Sequence, residues 1–164
     1  MAKIESKILE ALNEQLNKEI YSMYLYLSMA AYLEKENWKG MAHWMKAQAN
    51  EEFGHAMKIY DYIYQRGGSV IFKEIKQPPY NFNSIEEVWQ MIYNHEKGVT
   101  ESIKNLMKLA REENDYATEV ELNWFIKEQV EEEASALEIL EYIKKASSHI
   151  NALFMIDSKL GSRK

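Results

Sequence analysis

The stretch Glu51-Glu52-Phe53-Gly54-His55 decides the fold of this chain. It contains Glu-x-x-His, a carboxylate and an imidazole three residues apart. On a helix that spacing sets both side chains on one face, a turn apart. Alternating steps of four and three outward from it pass through Met41, Met45, Gln48, Glu52, His55, Ile59 and Tyr62. Such steps trace one seam along one helix. The seam is apolar at both ends and polar in its middle. A carboxylate buried there costs several kcal/mol even after relaxation, so something must compensate its charge. A metal cation is the leading candidate.

The same pattern recurs along the chain. A first helix over 4–36 carries the seam Leu12, Leu16, Glu19, Met23, Tyr26, Ala30 and Leu33, interrupted only by Glu19. A short break at Asn37 makes it the antiparallel neighbour of the second helix, 38–66. Gly67-Gly68 stops that helix. Ser69 to Asn83, with Pro78-Pro79, lacks helical periodicity. A helix of about 29 residues is ~43 Å long. Fewer than twenty extended residues, at up to ~3.3 Å each, can return along it. The second and third helices are therefore parallel.

The third helix, 84–113, opens on the capping box Ser84-Ile85-Glu86-Glu87. Its seam of Ile85, Trp89, Ile92, Val99, Ile103, Leu106 and Ala110 is interrupted by Glu96. The fourth, 115–146, takes Asp115 as N-cap and runs through Leu122, Phe125, Ala136, Ile139 and Ile143, interrupted by Gln129 and Glu132. A short helix over 150–160 closes the bundle, and Gly161 to Lys164 reads as a loose tail. The expectation is all-α: an antiparallel four-helix bundle with one long crossover between helices two and three and a short C-terminal fifth helix. Residues 1–164 form one domain on this reading.

Composition agrees and narrows the function. The 164 residues are 46% hydrophobic, 28% charged, and include only six Gly and two Pro, a soluble globular balance poor in sheet turns. A net charge of −6 argues against a nucleic-acid surface. The absence of Cys excludes disulfides and thiolate metal sites. No signal core follows Met1, and no run reaches membrane-spanning length. A cytoplasmic location is expected.

Glu19, Glu52, Glu96 and Glu132 all fall near mid-helix, and mid-helix positions share one level whichever way the helices run. Four carboxylates and His55 would meet at the waist of the bundle, where one or two divalent cations offset their repulsion. Oxygen ligands with one imidazole and no sulfur suit a di-iron or di-manganese site, and helical bundles build such sites from Glu and Glu-x-x-His pairs. Ser135 stands where a second His would complete the pattern, so the two metal positions are unequal. One seam glutamate alone can snorkel or pair with lysine; four at matching depth are not explained that way. The run Glu131-Glu132-Glu133 is either a solvated face with one member turned inward or, with Glu128, part of a third metal position. His95, about 100° round the helix from Glu96, reads as a supporting or surface residue, and His43 and His149 as structural. Tyr26 is either a core aromatic with a satisfied hydroxyl or a hydrogen-bonding or redox partner of the site.

With these motifs the chain resembles the non-haem ferritins of bacteria and archaea, over nearly its whole length. The most specific stretches are Glu19-Ile20-Tyr21-Ser22 with Tyr24-Leu25-Tyr26, Glu51-Glu52-x-x-His55-Ala56, and Trp124-Phe125-x-x-Glu128-Gln129-Val130-Glu131-Glu132-Glu133. The resemblance implies a ferroxidase centre: Glu19, Glu52 and His55 on one iron, Glu52, Glu96 and Glu132 on the second, with Glu52 bridging and Gln129 assisting. It implies a third iron position at Glu51, Glu128, Glu131 and Glu132, and a role in oxidation for Tyr26. It further implies a cage of twenty-four identical chains around a ferric mineral, with Fe(II) and O₂ or H₂O₂ as substrates. No haem is expected, because Phe53 stands where bacterioferritins carry their haem-ligating Met. Neither a nucleic-acid nor a membrane partner is expected.

Overall fold

The computed structural model describes residues 4–146 and 148–163. Five helices follow one another: α1 (Ser6–Lys35), α2 (Lys39–Gln65), α3 (Ile85–Glu112), α4 (Tyr116–Ala146) and α5 (Ile150–Leu160). Each begins and ends within two residues of the bounds expected from periodicity. The described residues contain no strand, and no helix among them is long and apolar enough to cross a membrane.

The helix ends have a common cause. α1, α2 and α3 each stop at a residue with positive φ: Asn37 at 63°, Gly67 at 69° and Asn114 at 55°. The next amide then reaches back to a carbonyl five residues earlier, Trp38 to Leu33 at 2.9 Å, Gly68 to Ile63 at 2.9 Å and Asp115 to Ala110 at 2.8 Å. This closure satisfies carbonyls that a helix end would leave orphaned, and Gly and Asn tolerate it best. The starts are capped as expected at α3 and α4. The Glu87 amide donates to Ser84 Oγ at 3.1 Å, and the Thr118 amide to Asp115 Oδ1 at 3.1 Å. The Glu87 carboxylate reaches one residue further than a capping box requires, accepting from the Asn83 amide at 2.5 Å.

Packing fixes the direction of each helix. One apolar cluster joins Leu25, Met29 and Leu33 of α1 with Met41 and Met45 of α2, Trp89 and Ile92 of α3, and Ile139 and Ile143 of α4. The other joins Ile8, Leu12 and Leu16 with Ile59 and Ile63, Ile103 and Leu106, and Leu122 and Phe125. The first half of α1 thus meets the second halves of α2 and α3 and the first half of α4. That pairing is possible only if α1 opposes α2, α2 parallels α3, and α3 opposes α4. Between the clusters lies a layer of buried polar residues: Glu19, Gln48, Glu52, His55, Glu96, Gln129 and Glu132. Two seam residues are less buried than expected, Met23 and Ile85 being half-exposed against the core, and Ser22 is buried beside Met23 instead.

The crossover, 66–84, is laid along α1 by asparagines that substitute for a neighbouring strand. Asn13 accepts from the Ile71 amide at 2.6 Å and donates to the Ser69 carbonyl at 3.1 Å. One turn on, Asn17 donates to the Ile71 carbonyl at 2.9 Å and accepts from the Lys73 amide at 2.8 Å. Further along, Ser28 Oγ donates to the Pro79 carbonyl at 2.6 Å. These contacts answer where an irregular segment's backbone groups find partners.

α5 crosses the start of α2. The Met41 amide donates to Asp157 Oδ1 at 2.8 Å, and a Cβ at Gly40 would collide with the Asp157 carbonyl. The tail beyond α5 differs from the loose end expected. Arg163 lies back on α2, its guanidinium 4.4 Å above the Trp44 ring and its Nη2 2.5 Å from Glu51 Oε2. An arginine that finds both an aromatic face and a carboxylate is held at two points. Lys164 and Ser147 lie outside the described residues.

Candidate metal centre

The polar layer is assembled one helix at a time. α2 contributes Glu52 and His55, both buried, with Nδ1 of the imidazole 3.3 Å from Glu52 Oε2. From α1, Glu19 reaches the same point; one ligand atom each of Glu19, Glu52 and His55 lie within 4.8 Å of one another. α4 supplies a second group, in which His55, Glu128 and Glu132 meet the same limit of 4.8 Å. α3 supplies Glu96, 2% exposed. Its carboxylate accepts from the Tyr26 hydroxyl on Oε1 and from Gln129 Nε2 at 3.2 Å on Oε2. Gln129 also donates to the Glu96 carbonyl at 3.3 Å.

Glu51 and Glu131 stand apart from these groups. Glu51 is paired with Arg163, and Glu131 is exposed. Half-buried His95 makes a 2.7 Å hydrogen bond to Ser22 Oγ and packs edge-on to Tyr26, with ring centroids 6.4 Å apart. Burial pushes its imidazole below the usual range. His43 Nε2 is 2.7 Å from the Arg163 carbonyl, and His149 precedes α5.

Two glutamines in this layer escaped the sequence reading as site residues. Gln15 donates to Glu19 Oε1 at 2.6 Å and is itself held by Ser102 Oγ at 2.6 Å. Gln48 donates to Glu52 Oε1 at 3.1 Å and Glu132 Oε2 at 2.8 Å, tying α2 to α4. Each precedes its glutamate by four residues, one turn back on the same face. The repeated Gln-x-x-x-Glu was the available signal.

Crowding these carboxylates away from water raises their affinity for protons. Burial, and then the nearby charge of Glu52, push Glu19 up to about 8. Burial and the charge of Glu96 push Glu132 up to about 7. Glu52 is driven well above the carboxylate range by burial and by Glu96 and Glu132. Burial first, then the Glu96 charge, likewise raises the Tyr26 phenol. Two buried acceptors, Glu19 Oε2 and Gln48 Oε1, have no hydrogen-bond donor. Unpartnered buried acceptors amid excess negative charge fit a cation: it would satisfy the oxygens and neutralise the repulsion together. Oxygen donors with a single imidazole suit iron or manganese. The His55 ring is walled by Trp124 and Phe125, at centroid distances of 5.3 and 6.3 Å.

Comparison with known proteins agrees with this architecture. Residues 9–146 match the family model of the ferritin-like domain. The bacterial non-heme ferritin of Staphylococcus epidermidis (strain ATCC 12228 / FDA PCI 1200) is 41% identical over 160 residues, 98% of this chain and 96% of that protein. That of Staphylococcus aureus (strain MRSA252) is 40% identical over the same shares of the two chains, 98% and 96%. An open pore ferritin from the hyperthermophilic archaeon Archaeoglobus fulgidus superposes with a TM-score of 0.98 at 44% identity, over 99% of this chain and 100% of that one. A match covering most of the chain, on a bundle whose waist is lined with carboxylates, makes this protein a member of the ferritin family.

Proposed function

We propose that this chain stores iron, oxidising Fe(II) to Fe(III) at the waist of its bundle and passing the product to a mineral inside a homo-oligomeric cage. One observation carries the reading: Glu19, Glu52 and His55, from two helices, converge within 4.8 Å in a buried layer that also holds Glu96 and Glu132. Glu19, Glu52 and His55 would take one iron, and Glu52, Glu96 and Glu132 the second. Gln129 and Gln48 would hold the outer carboxylates in place. A third iron would sit beside Glu128 and Glu132, with Glu51 and Glu131 as further ligands. Residues 1–164 would form one unit, twenty-four copies the cage, and the cytoplasm would be its place. Support for assembly comes from large apolar side chains exposed along α1 and the crossover, including Tyr24, Leu27, Phe72 and Tyr80. Such a face calls for a partner.

Iron is the substrate here, and the chain's residues supply the difference between its two charges. Anionic oxygen ligands gain more from Fe(III) than from Fe(II), which favours loss of an electron from each ion. Two Fe(II), one O₂ and two protons give two Fe(III) and one H₂O₂, so electrons balance without another reductant. Carboxylates protonated in the metal-free site must release protons as iron enters. Tyr26, donating to Glu96, would hold that carboxylate in place for the second iron.

The test is an anaerobic Fe(II) titration of metal-free protein, then O₂, beside a Glu52→Ala, His55→Ala variant. Expected are two or three irons per chain, rapid oxidation and continued accumulation of soluble ferric mineral, with the variant slow. Saturation at two or three irons with turnover but no mineral would replace storage by a di-iron oxidase. Equal rates in both proteins would end the metal-site reading.

A further inference from the structure

The described tail folds back onto α2. Gly161 to Arg163 continue from α5 by turn hydrogen bonds, the Gly161 amide donating to the Asp157 carbonyl at 2.9 Å and the Arg163 amide to the Leu160 carbonyl at 3.3 Å. α5 is seated on α2 through Asp157 and Met41. The end of the chain is therefore delivered to a defined place on α2. There the Arg163 carbonyl lies 2.7 Å from His43 Nε2, and Nη1 donates to the Trp44 carbonyl at 3.4 Å. With the guanidinium stacked on Trp44, its remaining fork meets Glu51. Contact with the ring restricts the guanidinium before it meets the carboxylate, so less freedom is lost in forming the pair.

Glu51 is not an arbitrary partner. It adjoins Glu52 and lies one turn before His55, on the helix that contributes His55 to the His55–Glu128–Glu132 group. In the proposed third iron position Glu51 would complete the oxygen shell of an ion held by Glu128 and Glu132, yet its Oε2 is already taken by a cation of the chain itself.

We propose that Arg163 is a positioning residue that holds Glu51 away from the third iron position, so that the C-terminal tail sets how weakly that position retains iron. An ion arriving there must displace a guanidinium to gain its last carboxylate, and an ion leaving is replaced by one. Retention at that position is thereby lowered. The inference rests on the third-iron part of the proposed function.

The test compares wild type, Arg163→Gln, Glu51→Gln and the double variant by calorimetric Fe(II) titration under argon. Circular dichroism and assembly mass check that each is folded. Glu51 is half exposed, and a pair that exposed couples by at most about 1 kcal/mol, so the third-site Kd of Arg163→Gln falls about two- to fivefold. The first two binding events keep their affinities. Arg163→Lys, which keeps charge but loses fork and stack, lies between. In the Glu51→Gln background the Arg163 substitution has no effect on the third event. An unchanged or weakened third event in Arg163→Gln, or tightening that persists without the Glu51 carboxylate, overturns the inference. Two events with no third in any variant also overturn it, and leave the di-iron reading standing. No iron binding by wild type would sink the ferroxidase reading and this one together.

Discussion

Replacing Glu19 by glutamine stabilises the metal-free protein, and does so only above the ordinary carboxylate range. Glu19 is wholly buried with one oxygen unpartnered, and its ionisation moves from 4.5 in the open chain to about 8 in the fold. A group raised in this way contributes its full stability below 4.5, and that stability is lost as pH rises toward about 8. Each pH unit in that window is worth about 1.4 kcal/mol. The cost of keeping Glu19 is thus about 3 kcal/mol at pH 7 and under about 1 kcal/mol at pH 5. Glutamine is neutral in both states and can still accept the hydrogen bond from Gln15, so it escapes the cost. Urea unfolding of chelator-treated protein at pH 5 and pH 7 reads the difference directly. Glu19→Gln should gain about 2 kcal/mol relative to wild type between the two conditions. Saturating Fe(II) should reverse the order, because the first iron position stabilises more the protein that retains the Glu19 carboxylate. A variant equally destabilised at both pH values would refute the claim that the empty site carries a suppressed charge.

Two further outcomes follow from named contacts. Gln48→Leu removes the donor shared by Glu52 and Glu132, and iron affinity should fall about tenfold or more; calorimetry showing a change under twofold would exclude Gln48 from the centre. Asp115→Ala strips Arg66 of a two-pronged partner at 2.9 and 3.0 Å, in a pair whose side chains are only 8% and 9% exposed. The metal-free protein should lose about 3 kcal/mol in denaturant unfolding, with the iron stoichiometry per chain unaltered.

The sequence alone determined the helices, their order and the depth of their polar interruptions. Each is a local property: a side chain's face depends on its position modulo 3.6, and a helix end on whether Gly67 or Asn37 can adopt positive φ. The glutamates at mid-helix were legible because polar residues in an apolar seam break a pattern that needs no partner to be seen. Three features belonged to the tertiary structure. Gln48 shows its role only when α4 brings Glu132 within 2.8 Å; on α2 by itself it is one more seam residue. Asn13 and Asn17 resemble ordinary surface residues until the crossover lies against them. Arg163 looked like the end of a loose tail because its partners, Trp44 and Glu51, lie more than a hundred residues away in sequence. Periodicity reports which way a side chain faces relative to its own helix axis. What it meets there depends on distant segments, whose positions are settled by burial of the whole core.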